Sequence, residues 1–292
     1  MANKYTFNKD YFERIDSKDK AYFLGFLYAD GCNSISATQQ HHTIILSLQE
    51  KDKDILNIFN KYINSNKPLA YRPSRDNHSV QYALVIHSKK WSQDLINLGC
   101  VPAKTLILKF PTINQVPEEY LSHFIRGYFD GDGCVWNGKR KKMIVTDKTR
   151  IGGKRERIVH NVKAHFTGCV DLLESLRDFL HEEVKMSKVK ISQPRKDKSA
   201  QVRMLEYSGR KNLKKLYDFI YKDCDDLYLK RKKEKFEEIF CALNEKSLSE
   251  TGLIAGTPEM VISSQATNVE GSSTIPEMEV ESSDSKCPAL NK

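Results

Sequence analysis

Two stretches of the chain are apolar over the length of a helix and stop at the same signal. From Ala21 to Ala29 the sequence AYFLGFLYA is apolar nearly all round, and Asp30-Gly31 follows. In the second stretch Leu121, Phe124, Ile125, Tyr128 and Phe129 form an i, i+3, i+4, i+7, i+8 stripe that ends at Asp132-Gly133. Ser17 is a good N-cap for the first helix, and Pro117 with Glu118 and Glu119 makes a good first turn for the second. Each helix carries small residues four apart, Gly25 with Ala29 and Gly127 with Gly131, a pattern that lets two backbones approach closely. The simplest partner for either helix is the other.

The pattern after each helix also repeats. TIILSL, helical DKDILNIFNKYI, alternating QYALVIH and helical SKKWSQDLINLG follow the first, while VKAHFTG, VDLLESLRDFL, KVKIS with VRMLEYS, and GRKNLKKLYDFIY follow the second. The expected fold class is α+β: two pseudo-symmetric αββαββα repeats with antiparallel sheets. The first repeat, with the N-terminal segment, covers 1–115 and the second 116–244. After Phe240 there is no aromatic residue, and 245–292, rich in Ser, Thr and Glu, is expected to be a flexible acidic tail because it cannot bury enough apolar area to offset its ordering entropy.

Charge sharpens this division. The whole 292-residue chain carries +9, but 245–292 holds eight acids and three lysines, a net of −5 that leaves +14 on the rest. Such a basic body suggests a polyanion as partner, nucleic acid first. Seven scattered cysteines with no CxxC spacing suit free thiols better than disulfides or a zinc finger. The histidines show no metal-binding spacing either. No run of 18 apolar residues and no signal-peptide pattern is present, so an intracellular, non-membrane protein is expected, in cytoplasm, nucleoid or organelle matrix.

The acids at the two helix ends are the chemical puzzle. A carboxylate there faces the negative end of the helix dipole and the last unpaired carbonyls. If the helices pack parallel across a pseudo-twofold axis, Asp30 and Asp132 emerge together and repel unless a cation lies between them. Oxygen ligands with room for water suit Mg²⁺ (or Mn²⁺), and metals bridging a phosphodiester serve nucleases. A calcium loop starting at Asp130 fails, since its fifth position is Cys134 and its twelfth Lys141.

LGFLYADG (Leu24–Gly31) and IRGYFDGDG (Ile125–Gly133) resemble the paired motifs of the LAGLIDADG homing endonucleases, in a single-chain, two-repeat member spanning about residues 15–240. The resemblance implies parallel motif helices at the repeat interface, metal-dependent cleavage of both DNA strands, Asp30 and Asp132 as metal-binding catalytic acids, and the carbonyls of Ala29 and Gly131 as further ligands. It also implies basic residues beside the metal, for which Lys104 in GCVPAKTL and Lys232 in YLKRKKEKF match best by position. Tyr28 departs from the family's acid at that place, so Asp130, its counterpart, is expected to matter little to the chemistry. Glu50 is a candidate for positioning metal-bound water in one half-site only.

Members read duplex DNA with β-ribbons, and a monomer on an asymmetric site of ~20 base pairs is implied if each repeat follows one turn of groove. Asn137–His160 is a basic ribbon, with nine Lys or Arg against two acids, including Lys139, Arg140, Lys142, Arg150, Lys154 and Arg155. Gln39, Gln40, Arg72 and Arg75, then Arg195, Lys196 and Arg203, occupy the other connections and suit base edges and phosphates. The alternative is a non-cleaving protein of the same fold, an RNA maturase or a transcription regulator. An intein is disfavoured, because His160-Asn161 is followed by Val162 and not by a nucleophile.

Overall fold

A computed structural model describes residues 5–36, 41–74, 79–145, 154–193 and 201–250, with the backbone alone for 139–145, 154–160 and 243–250. The first repeat runs α1 (Lys18–Ala29), β1 (Gly31–Ile35), β2 (His42–Gln49), α2 (Lys53–Tyr62), β3 (Ala70–Arg72), β4 (Gln81–His87) and α3 (Lys89–Asn97). The second runs α4 (Leu121–Asp132), β5 (Gly133–Val145), β6 (Lys154–Gly168), α5 (Val170–Glu182), β7 (Ile191–Ser192), β8 (Arg203–Ser208) and α6 (Arg210–Tyr221). The sheets, ordered β1-β2-β4-β3 and β5-β6-β8-β7, are antiparallel and share one topology, as the repeated pattern predicts.

One long helix, α7 (Lys230–Glu250), was not anticipated as an element of its own. It extends past the boundary expected at 244/245, and the compact unit closes at Thr251. The rest of the tail lies outside the described residues. Among the described residues no helix is long and apolar enough to cross a membrane.

The core is built around α1 and α4. Every residue from Ala21 to Tyr28 is buried, as the all-round apolar pattern requires, and α4 is buried from His123 to Asp130. Phe23 stacks on Phe59 at 4.0 Å, where Tyr11, Phe12 and Trp91 complete an aromatic cluster over the first sheet. In β2 the burial alternates, with Ile44, Leu46 and Leu48 turned to the core, so one face of the sheet remains open.

The two helices meet backbone to backbone. A Cβ on Gly25 would overlap the carbonyl of Phe124, and one on Gly127 would overlap that of Tyr22. These contacts are related by the same 102-residue offset that separates Asp30 from Asp132, the internal signature of a pseudo-twofold axis. Gly31 and Gly133 are there for space and not for a left-handed turn. Gly133 has φ −95°, and a Cβ on Gly31 or Gly133 would strike Leu27 or Phe129 in the preceding turn.

Candidate active site at the paired helix ends

Helix α1 ends with Asp30 as its C-cap, and Asp132 is the last residue of α4. Gly131 separates them: a Cβ placed on it would lie 3.2 Å from Asp30 Oδ2. The absence of that methyl group leaves the Asp30 carboxylate open against the end of α4. Asp30 has an exposed surface yet stands in a crowded hollow, so burial raises its pKa, with Lys232 and then Lys104 pulling it down and Asp52 adding to the rise.

Each negative helix end is met by one lysine. Lys104 Nζ donates to Ala29 O at 3.0 Å. Lys232 Nζ donates to Phe129 O (2.8 Å), Asp130 O (2.6 Å), Gly131 O (3.2 Å) and Gly133 O (2.6 Å). Both lysines are buried, and a cation on the last carbonyls is the expected complement of a helix C-terminus. Burial, with Arg231 alongside, lowers the Lys232 ammonium to about 8 while Asp130 and Asp30 pull it back up.

Asp130 has more to do than the sequence suggests. It is 1% exposed, and its Oδ2 accepts from Leu229 N–H and from Tyr22 O–H, both at 2.8 Å. Burial raises its pKa against the opposing pull of Lys232 and these two donors. Near it Arg126, fully buried, donates Nε to Leu227 O at 2.7 Å and Nη1 to Ile220 O at 2.9 Å, tying α4 to the connection before α7 and to α6. Arg231 makes a two-pronged pair with the buried Asp52 of the first repeat, Nε to Oδ1 at 2.9 Å and Nη2 to Oδ2 at 3.0 Å. Arg126 and the Asp52–Arg231 pair escaped the sequence reading, which named Asp130 without its buried partners. The only available signal was a charge inside an apolar helix stripe.

The donors at the helix ends fit a hard divalent cation: carboxylates of Asp30 and Asp132, carbonyls of Ala29 and Gly131, all oxygen. Both carbonyls already accept from a lysine, but each oxygen has a second lone pair. Among the described residues no cluster of three or more His, Cys, Asp or Glu exists, so further ligands would be water or substrate oxygen.

Strand register decides which basic residues lie on the open sheet faces. Gln49 pairs with Gln81, and Gln81 with Arg72, so these three form one row on the face opposite Leu46 and Leu84. Sequence reading had singled out Arg72 alone. In the second sheet Trp136, Lys163 and His165 share the open face, where Lys163 also pairs with Glu206. Arg203 falls opposite Gly168, on the parity of buried Leu205 and Tyr207, and its Nη1 donates to Val202 O at 3.1 Å; it is therefore not placed to read from the open face. Lys139, Arg140 and Lys142 lie on β5 and Lys154 and Arg155 on β6, in one continuous antiparallel ladder. Gln39, Gln40, Arg75, Arg150, Arg195 and Lys196 lie outside the described residues.

Residues 119–221, nearly the whole second repeat, match the model of the LAGLIDADG-like domain. Comparison with curated protein sequences finds no match. Among solved structures, the chain is similar to the I-SmaMI LAGLIDADG homing endonuclease bound to cleaved DNA, with TM-score 0.50 and 11% identity over 80% of this chain and 92% of that one. It also matches the I-LtrWI LAGLIDADG homing endonuclease bound to target DNA, with TM-score 0.49 and 13% identity over 84% and 95% of the two chains. The chain is a two-repeat protein of the LAGLIDADG fold.

Proposed function

We propose that this protein is a site-specific endonuclease that hydrolyses phosphodiester bonds in both strands of duplex DNA with a divalent cation, Mg²⁺ or Mn²⁺. The observation that carries the reading is the pairing of Asp30 and Asp132 at adjacent helix ends, each end backed by a buried lysine. A cation held there would offset phosphate charge and make a water molecule more acidic. The two carboxylates and the Ala29 and Gly131 carbonyls would hold it. In the reaction a water oxygen bonds to phosphorus as one ester P–O bond breaks, and the departing ester oxygen takes up a proton in place of the one the water gives up. Lys104 spends one of its three donors on protein among the described residues, which leaves two for a phosphate oxygen or the attacking water. Lys232 shares its three donors among four carbonyls and acts through its charge.

The DNA duplex would lie along the open sheet faces, the two halves of an asymmetric site matching the two repeats of a monomer, and a DNA substrate places the work inside the cell. Selecting cleaved sites from a randomised duplex library in Mg²⁺ tests the assignment. Recovery of one asymmetric site cut on both strands supports it, whereas tight binding without cutting leaves the maturase or regulator reading. Neutralising Lys139, Arg140, Lys141 and Lys142 together should weaken binding to any duplex and flatten the slope of log K against log salt by up to about 3.6, since each phosphate contact contributes about 0.9. An unchanged slope removes the β5–β6 ladder from the contact surface.

A further inference from the structure

The residue two places before each of the paired acids Asp30 and Asp132 is hydrogen-bonded, in both repeats, to the chain segment that leads to the lysine. In the second repeat Asp130 Oδ2 accepts from Leu229 N–H, three residues before Lys232. In the first, at the same 102-residue offset, Tyr28 O–H donates to Leu98 O at 2.6 Å, six residues before Lys104. The chemistry differs, a carboxylate accepting from an N–H in one and a hydroxyl donating to a carbonyl in the other, but the place in the architecture is the same. Gly99 makes the tyrosine contact possible: its φ is +91°, and a Cβ there would overlap the Tyr28 hydroxyl.

We propose that Asp130 and Tyr28 are positioning residues, Asp130 seating Lys232 through Leu229 and Tyr28 seating Lys104 through Leu98. The proposal rests on the nuclease reading for its consequence but not for its geometry. Each lysine sits on carbonyls at the end of the helix that carries its own positioning residue, Lys104 on α1 and Lys232 on α4. An error in the position of Leu98 or Leu229 is therefore passed directly to the ammonium. The second seat is tied more firmly, because Arg231, next in line to Lys232, is also clasped by Asp52. Sequence identity at this position says little, as acid and tyrosine look unrelated; only the hydrogen bonds show the shared task.

Amine-selective chemical labelling of the folded protein, read lysine by lysine by mass spectrometry, tests the seating without reference to activity. In the wild type both lysines, 9% and 5% exposed, should react slowly. Asp130→Ala should raise labelling of Lys232 roughly tenfold or more and leave Lys104 unchanged, while Tyr28→Phe, which keeps the ring and removes the hydroxyl, should do the reverse. Asp130→Asn, which keeps an acceptor for Leu229 N–H, should restore much of the protection of Lys232. On a cleavable duplex with each strand labelled separately, the two variants should slow opposite strands. Equal labelling of both lysines in either variant, or of neither, overturns the proposal. Failure of the wild type to cut any DNA overturns the nuclease reading instead, and the labelling result still decides the seating.

Discussion

Asp30→Asn and Asp132→Asn should each reduce cleavage of both strands by at least about a hundredfold, while binding to the same duplex in Ca²⁺ changes little. Asn keeps the size and an oxygen, so the loss isolates the charge that a divalent ion needs. Stability should move the other way for Asp30. Its pKa is raised in the folded chain, so folding gains from the proton below the ordinary carboxylate range and loses that gain as pH rises through the folded value. At neutral pH the Asp30 carboxylate is therefore a cost, and Asp30→Asn should melt no lower than wild type, with any advantage vanishing toward pH 3. The measurements are single-turnover cleavage with a Mg²⁺ titration and a melting curve across pH. Two Asn variants that cut at the wild-type rate would remove these acids from the chemistry.

Gly25→Ala and Gly127→Ala should each lower the melting temperature by about 6–12 °C, from about 3 kcal/mol of lost stability. Two effects oppose one another here. Alanine is the better helix former by about 1 kcal/mol, which alone would stabilise α1 or α4. The added methyl group, however, overlaps the carbonyl of Phe124 or Tyr22, which are backbone atoms of a helix with no rotamer to change. Separating the helices relieves the overlap only by opening the most tightly packed part of the core, so the clash wins. Calorimetry of both variants checks this, and a rise in melting temperature for either would mean that the helices do not meet on their glycines. Cleavage should fall with stability, because moving the helix ends apart also moves Asp30 from Asp132.

Much of this architecture was legible before any coordinate. The apolar stretch Ala21–Ala29 could only be a helix buried on all sides, and period-2 alternation in QYALVIH could only be a half-buried strand, because helical and strand periods sort side chains differently. Gly25 and Gly127 announced the close crossing for the same local reason: only small residues allow it. Lys104 and Lys232 were reached by resemblance, and they stand on the helix-end carbonyls. By contrast the start of α7 reads as a charged helix face, since a first turn of Lys230, Arg231, Lys232 and Lys233 carries no apolar signature although Lys232 is buried.

The sequence by itself determined the secondary structure of the two repeats up to α6, the doubling of the plan and the paired acids, because periodicity, turn chemistry and repeat spacing are properties of neighbours along the chain. Tertiary structure alone decided what each buried charge is for. Asp130 and Leu229 lie 99 residues apart, Arg231 and Asp52 179, and Lys232 and the carbonyls of α4 about 100. No local pattern encodes such partners. It also decided that Arg203 falls on the core parity while Gln49, Gln81 and Arg72 form a row, since a side chain's face in a sheet follows from register with the neighbouring strand. A buried ion or hydrogen bond is settled only when the fold excludes water and leaves one partner in reach.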